Sequence, residues 1–217
     1  MDTVDVVLPC LDEALALPAV LNALPPGYRA IVVDNGSSDG SPEVAAAHGA
    51  TVVRESRRGY GAAVHTGLEH ATADIVCFLD ADGSLDPREL PGLVRAVRDG
   101  DADMAVGRRI PQGRGSWPWH ARLGNRILAA LMRKRGLKVR DIAPMRAVGR
   151  ERLLALNVED RAFGYPLELL IRAAEAKWRV VEADVTYRPR TAGTKSKVSG
   201  SVHGTLRAVH DMAGVLR

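Results

Sequence analysis

Ile75-Val76-Cys77-Phe78-Leu79-Asp80-Ala81-Asp82 decides the fold. Five apolar residues in a row, followed at once by two carboxylates one residue apart, describe a strand buried on both faces that opens into a polar loop. Strands of that kind belong to parallel sheets covered by helices on each side. Outward from it, near-continuous apolar runs at 4–8, 30–33, 51–54 and 104–106 read the same way, and each ends in polar or glycine-rich residues. Helical patterns fill the intervals at 14–24, 42–48, 61–71 and 87–98. Ser41 before Pro42 and Asp86 before Pro87 read as N-caps with proline in the first helical position, and Glu89 adds a negative charge to that turn. This alternation is the βαβ rhythm, and its right-handed crossovers bring the C-terminal strand ends to one crevice.

Past Gly107 the pattern changes. A Gly, Arg and Trp-rich connection at 108–119 leads into a basic amphipathic helix at 121–135. A helix at 166–176, a strand at 180–187, a basic loop at 188–197 and a last helix at 201–216 follow. Residues 143–158 are compatible with short strands or with turns. No repeat, low-complexity tract or long linker divides the chain, so 1–217 is expected to form one domain.

Charge divides what the fold does not. Residues 1–106 hold 7 lysines and arginines against 17 acidic residues, whereas 107–217 hold 23 against 9. An acidic half suits a divalent cation, and a basic half suits phosphates, nucleic acid or anionic lipid. Nucleic acid is disfavoured, because the basic residues are dispersed and only 4% of residues are aromatic. The acidic start lacks the order of a signal peptide, and no window offers ~18 consecutive apolar residues. A cytoplasmic protein, touching a membrane only peripherally, is therefore expected, with Cys10 and Cys77 as buried thiols.

Two carboxylates one residue apart at a strand end can turn toward one hard cation such as Mg²⁺ or Mn²⁺. Alone, Asp-x-Asp also serves turns and caps. Two other strand ends carry Pro9-Cys10-Leu11-Asp12-Glu13 and Asp34-Asn35-Gly36-Ser37-Ser38-Asp39-Gly40 on the same expected rim. Asp34 and Glu13 could accept hydrogen bonds from a base and a ribose there. Arg57-Arg58-Gly59-Tyr60-Gly61 is not a dinucleotide fingerprint, since it follows the third strand and has Val64 where a third glycine belongs; it reads as a basic loop at a helix start. The first strand-to-helix turn lacks a P-loop, which disfavours a kinase or ATPase.

In this order the residues resemble the glycosyltransferase family 2 proteins over nearly the whole chain, most closely the polyprenyl-phosphate (dolichol-phosphate) mannose synthase-like branch. Leu8-Pro9-Cys10-Leu11-Asp12-Glu13 is similar to the family's first donor motif, Asp34 to Gly40 to its Asp-Gly-Ser turn, and Asp80-Ala81-Asp82 to its metal triplet. Val106-Gly107-Arg108-Arg109 matches the Gly-Ser-Arg segment of the branch, Arg122 its second phosphate-facing arginine, 141–147 its Asp, Gly, Phe, Arg stretch, and 190–197 its basic C-terminal motif. Leu11 stands where an aromatic residue often flanks the base, Asn35 where a second Asp is common, and Ser84 where a longer polar side chain is found.

The resemblance implies a GT-A, Rossmann-like α/β fold with a mostly parallel central sheet and helices on both faces. Nucleotide and metal would lie in 1–106, the acceptor in 107–217 with its C-terminal amphipathic helix. It implies that Pro9, Leu11, Glu13, Asp34, Asn35, Gly59, Asp80, Ala81 and Asp82 bind a UDP- or GDP-linked sugar, with Asp80 and Asp82 holding Mg²⁺ or Mn²⁺. Arg108, Arg122, Arg190, Ser196 and Lys197 would face phosphate or acceptor, and Asp82, Arg108, Arg122 and Asp141 would serve catalysis. An inverting transfer to polyprenyl phosphate at the inner membrane face follows. A phosphate monoester is already charged near neutral pH, so it needs no general base. Asp141 and Glu168 are the isolated candidates for a base. A hydroxyl acceptor or a sugar nucleotidyltransferase remain alternatives, and oligomeric state is left open.

Overall fold

The computed structural model describes residues 3–113, 116–194, 211–212 and 214–215. Seven strands form one sheet: β1 (Val4–Cys10), β2 (Tyr28–Asp34), β3 (Thr51–Arg54), β4 (Ile75–Phe78), β5 (Met104–Pro111), β6 (Arg146–Gly149) and β7 (Val180–Tyr187), in the order β3-β2-β1-β4-β6-β5-β7. Only β6 runs against its neighbours. The sheet is mostly parallel, as the apolar runs predicted.

Alternation along the strands divides the core into two layers. Val7, Val33, Val76 and Phe78 enter one cluster with α3 (Tyr60–His70), α5 (Trp119–Lys134), α6 (Arg150–Ala155) and α7 (Tyr165–Glu175). Val6, Leu8, Val32 and Cys77 enter the other with α1 (Leu17–Asn22), α2 (Ser41–Ala47) and α4 (Leu90–Arg98). Helices therefore cover both faces. At Gly67 of α3 a Cβ would stand 2.3 Å from Val7 Cγ1, so this helix lies closer to β1 than any other residue would allow.

Several boundaries differ from the sequence expectations. Residues 108–111 belong to β5, because eight residues of β7 pair with it in parallel. Two arginines inside a strand are tolerated because acidic partners meet each of them. The ambiguous 143–158 segment supplies β6 and α6; β6 is only four residues long and is defined by its neighbours rather than by any pattern of its own. Gly40, in the left-handed region at φ +83°, is the N-cap of α2 in place of Ser41. Asp86 does cap its turn, accepting from the Arg88 amide at 3.1 Å, although residues 87–89 form a 3-10 turn before α4. Of the expected last helix only Asp211, Met212, Gly214 and Val215 are described, all helical. Among the described residues no helix is long and apolar enough to cross a membrane.

Candidate active site

The parallel strands β1, β2, β4 and β5 deliver their C-terminal ends to one rim. Asp82 is 2% exposed. One of its oxygens accepts the Ser84 amide at 2.8 Å, and the other meets an Arg190 guanidinium nitrogen at 2.7 Å. The same arginine reaches Glu13 at the end of β1, 3.1 Å away. A cation from position 190 thus stands between two carboxylates from the first and fourth strand ends. Asp80 lies beside them. Burial and the neighbouring Asp82 charge push its carboxyl up to about 6, while Arg190, Arg109 and a hydrogen bond from the Tyr60 hydroxyl pull it back.

Residues 188–194 are sewn to the carboxylate loop. The Thr191 amide donates to the Asp82 carbonyl at 3.1 Å and the Arg188 amide to the Ser84 carbonyl at 2.8 Å. The basic segment after β7 is thereby held over the acidic strand end. The Ser84 hydroxyl oxygen, 1% exposed at residue level, lies buried there without a hydrogen-bond partner.

Asp34 folds its carboxylate over the turn that follows β2, accepting from the Ser37 amide at 2.9 Å. It borders a cleft of about 560 Å³ lined also by Ser37, Ser38, Glu43, Arg54 and Glu55. Asn35 has a different task. Its amide nitrogen donates to the Glu55 and Arg57 carbonyls, and its side-chain oxygen accepts the Gly59 amide, all within 2.9 Å. It fixes the 55–59 loop with every polar atom of its side chain. Gly59 is required by that packing: at φ +151° its backbone passes so close to the Arg161 carbonyl that a Cβ would sit 2.1 Å from the oxygen. On β1, Pro9 pairs with Val33, while the Asp12 and Glu13 amides donate to the Ser37 and Ser41 hydroxyls, so the two strand-end loops brace one another. Leu11 and the buried Ala81 frame the same rim.

On the basic side, Arg109 makes two side-chain hydrogen bonds to Asp141, at 2.7 and 2.9 Å, and its amide adds a third at 2.8 Å. Asp141 is 1% exposed, and despite burial these bonds hold its carboxyl below the usual range. The Arg109 guanidinium also lies 4.0 Å from the Trp117 ring centre and 5.4 Å from that of Tyr187. Arg108 forks onto Asp184 with both bonds at 2.6 Å. Arg122 is exposed on α5. Glu168 accepts the Glu159 and Asp160 amides and pairs with Arg172 at 2.5 Å, which makes it a brace of the 159–160 turn. Ser196 and Lys197 lie outside the described residues.

Sequence reasoning passed over Tyr60, Trp117 and Tyr187 as site-building residues. Tyr60 was visible inside the Gly59-Tyr60-Gly61 loop, but nothing local tied it to Asp80. The two rings are joined to Arg109 only through the folding of β5 onto β7.

The glycosyl transferase family 2 profile matches residues 5–155. The chain belongs to glycosyltransferase family 2. It is 57% identical over 99% of its length to an uncharacterised glycosyltransferase of Mycobacterium bovis, covering 98% of that protein. An undecaprenyl-phosphate mannosyltransferase of Micrococcus luteus is 31% identical, across 91% of this chain and 88% of its own. Among solved structures, glucosyl-3-phosphoglycerate synthase from Mycobacterium tuberculosis, in complex with Mn²⁺, uridine diphosphate and phosphoglyceric acid, is 25% identical with a TM-score of 0.77. The match spans 99% of this chain and 77% of that one. The seven-stranded α/β architecture is therefore that of the GT-A glycosyltransferases, and the chain is a glycosyltransferase related to the polyprenyl-phosphate mannose synthase-like branch, as the resemblance implied.

Proposed function

We propose that this glycosyltransferase moves a hexose, with inversion, from a UDP- or GDP-linked donor to a polyprenyl phosphate. The observation that carries this reading is the rim itself, where Asp80, Asp82 and Glu13 face Arg190 from the opposite half of the chain.

The residues fit a divalent cation. Asp80 and Asp82 are hard oxygen donors; burial and the neighbouring Asp82 charge push the Asp80 carboxyl up to about 6, and Asp82 has drawn a cationic guanidinium to within 2.7 Å. Among the described residues no three His, Cys, Asp or Glu side chains gather to hold an ion by themselves. Two carboxylates with substrate phosphate completing the shell is the arrangement Mg²⁺ and Mn²⁺ accept. Asp80 and Asp82 would hold the ion, which when bound supplies positive charge to the leaving diphosphate. Asp34 and the 36–38 turn, bordering the cleft, would take the nucleoside; Asn35 and Gly59 act by shaping that cleft. Arg190 would exchange its carboxylate partners for phosphate oxygens once the donor arrives, with Arg108, Arg122, Ser196 and Lys197 assigned to the acceptor side.

The acceptor assignment rests on what the candidate bases are doing. The Asp141 carboxylate is occupied by Arg109 and by the Ala143 amide, and Glu168 by two amides and Arg172. Neither offers an unengaged oxygen to a hydroxyl. A phosphate monoester, with its second pKa of about 6, attacks without such help. Asp141 then contributes by orienting Arg109 rather than by moving a proton. Calorimetric titration with GDP-mannose, UDP-glucose and the free diphosphates, each with Mn²⁺ and with chelator, tests the donor side. Transfer from the bound donor to polyprenyl phosphate, with none to the neutral polyprenol, is the expected result; equal transfer to both overturns the acceptor assignment.

A further inference from the structure

The largest exposed apolar side chains of the described residues are Leu15 on the rim and three that share one line along α5: Trp119 at 76%, Leu123 at 50% and Ile127 at 55%. Spaced four apart, they form a stripe about 12 Å long at the 1.5 Å rise of a helix. The opposite side of α5 is already used. Ala129 and Met132 are buried, and Asn125 accepts the Ile142 amide at 3.0 Å, which pins the helix beside Asp141. The stripe is thus a second apolar face on a helix whose first is in the core.

Its charge says what covers it. Arg122 and Arg126 flank the stripe and Arg133 and Lys134 end the helix, with no aspartate or glutamate anywhere in α5. Two copies meeting through this face would bring arginine against arginine, which disfavours self-association. An anionic bilayer complements both parts: apolar side chains enter the acyl boundary, Trp119 suits the headgroup level, and the arginines meet lipid phosphates. The position is also apt. β5 runs parallel to β1, so the connection into α5 leaves from the same rim as the carboxylates, and Trp117, two residues before the helix, lies against Arg109.

We propose that the outer face of α5, through Trp119, Leu123 and Ile127 with the arginines beside them, docks on an anionic membrane surface and sets the rim against it. The surface stands on α5 alone, so its failure and the failure of the donor or acceptor reading are separable.

The test is co-sedimentation of the purified protein with vesicles of phosphatidylcholine, with and without phosphatidylglycerol, in the absence of donor. Wild type should bind the anionic vesicles more tightly than the neutral ones, and salt should weaken the difference. The double variant Leu123→Ser/Ile127→Ser should keep its circular dichroism and nucleotide binding while its partition falls by at least about tenfold. Arg126→Gln should weaken binding to the anionic vesicles only. Wild type that ignores anionic vesicles, or a double variant that binds them as wild type does, overturns the proposal. So does a wild-type dimer in sedimentation velocity that the double variant turns into monomer without any vesicle binding.

Discussion

Replacing Arg190 with glutamine should make the protein bind Mn²⁺ more tightly in the absence of any nucleotide. Arg190 holds the Asp82 oxygen at 2.7 Å and Glu13 at 3.1 Å, with less than a third of its side chain exposed. A divalent ion must therefore compete with a positive charge for the same carboxylate. Charges of one and two about 5 Å apart repel by about 1.7 kcal/mol even at the dielectric constant of water. Burial raises that figure and salt lowers it. Taking it as it stands, Arg190→Gln should gain roughly ten- to twentyfold in Mn²⁺ affinity at low ionic strength. Electron paramagnetic resonance of the free ion reads this directly, with no substrate needed. Arg29→Gln serves as a control, because it removes a similar pair, Arg29 to Asp5, at the opposite end of β1 and β2 from the rim. The same Arg190→Gln protein should be slower in transfer, having lost a phosphate contact. An affinity that is unchanged or lower would refute the claim that Arg190 occupies the metal's place, whatever happened to turnover.

Arg109→Met should destabilise the fold by about 3–5 kcal/mol, since it strands the buried Asp141 charge; for a chain of this size that is a fall of roughly 6–20 °C in Tm. Adding Asp141→Leu should restore much of it. Asp141 is held below its ordinary pKa, so the pair's stabilisation is present above about pH 4 and is lost as pH falls through the native value, and acid melts of the single variant should lack that limb. Gly59→Ala should cost at least about 2 kcal/mol by denaturant titration, because φ +151° and the Arg161 carbonyl both exclude a Cβ. Mn²⁺ affinity should weaken as pH falls through about 6, where a proton competes for Asp80. In chelator the sign reverses: the raised carboxyl favours the fold at low pH, so that contribution to Tm should be lost as pH rises from about 4 toward about 6.

How much of this was legible in the sequence follows from which interactions are local. The strands of the first hundred residues were readable because burial on both faces forces continuous apolar runs, and their ends because carboxylates and glycines interrupt those runs abruptly. β6 was not readable. Arg146-Ala147-Val148-Gly149 has no strand signature, and it is held antiparallel by β4 and β5 from outside. The continuation of β5 through Arg108 and Arg109 was hidden for the opposite reason, since two adjacent arginines read as loop until Asp184 and Asp141 are brought to them. The strand-end positions expected on the donor side gather at one rim, yet Asn35 reads from sequence as a ligand contact, whereas its side-chain amide is consumed in holding the 55–59 loop. Sequence identifies the residue types a rim needs; only the fold distinguishes those facing the ligand from those holding the rim in shape.

The pairing of Arg190 with Glu13 spans 177 positions and joins the acidic half of the chain to the basic half. Burying Asp80 beside the Asp82 charge opposes folding, and its raised pKa shows that cost even with Arg190 and Arg109 pulling it back. In the proposed function the Arg190 side chain turns from the carboxylates to phosphate while the 188–194 segment stays tied to the carboxylate loop by its backbone bonds at Asp82 and Ser84. The proposed function then leaves the acidic half to the metal, with the basic half lending a charge that stabilises the metal-free protein and afterwards meets phosphate. This division predicts that the two halves depend on each other for stability most strongly when metal is absent. Thermal melts of Arg190→Gln should accordingly fall below wild type in chelator and approach it in saturating Mn²⁺; a deficit of equal size in both conditions would mean that Arg190 is an ordinary structural ion pair.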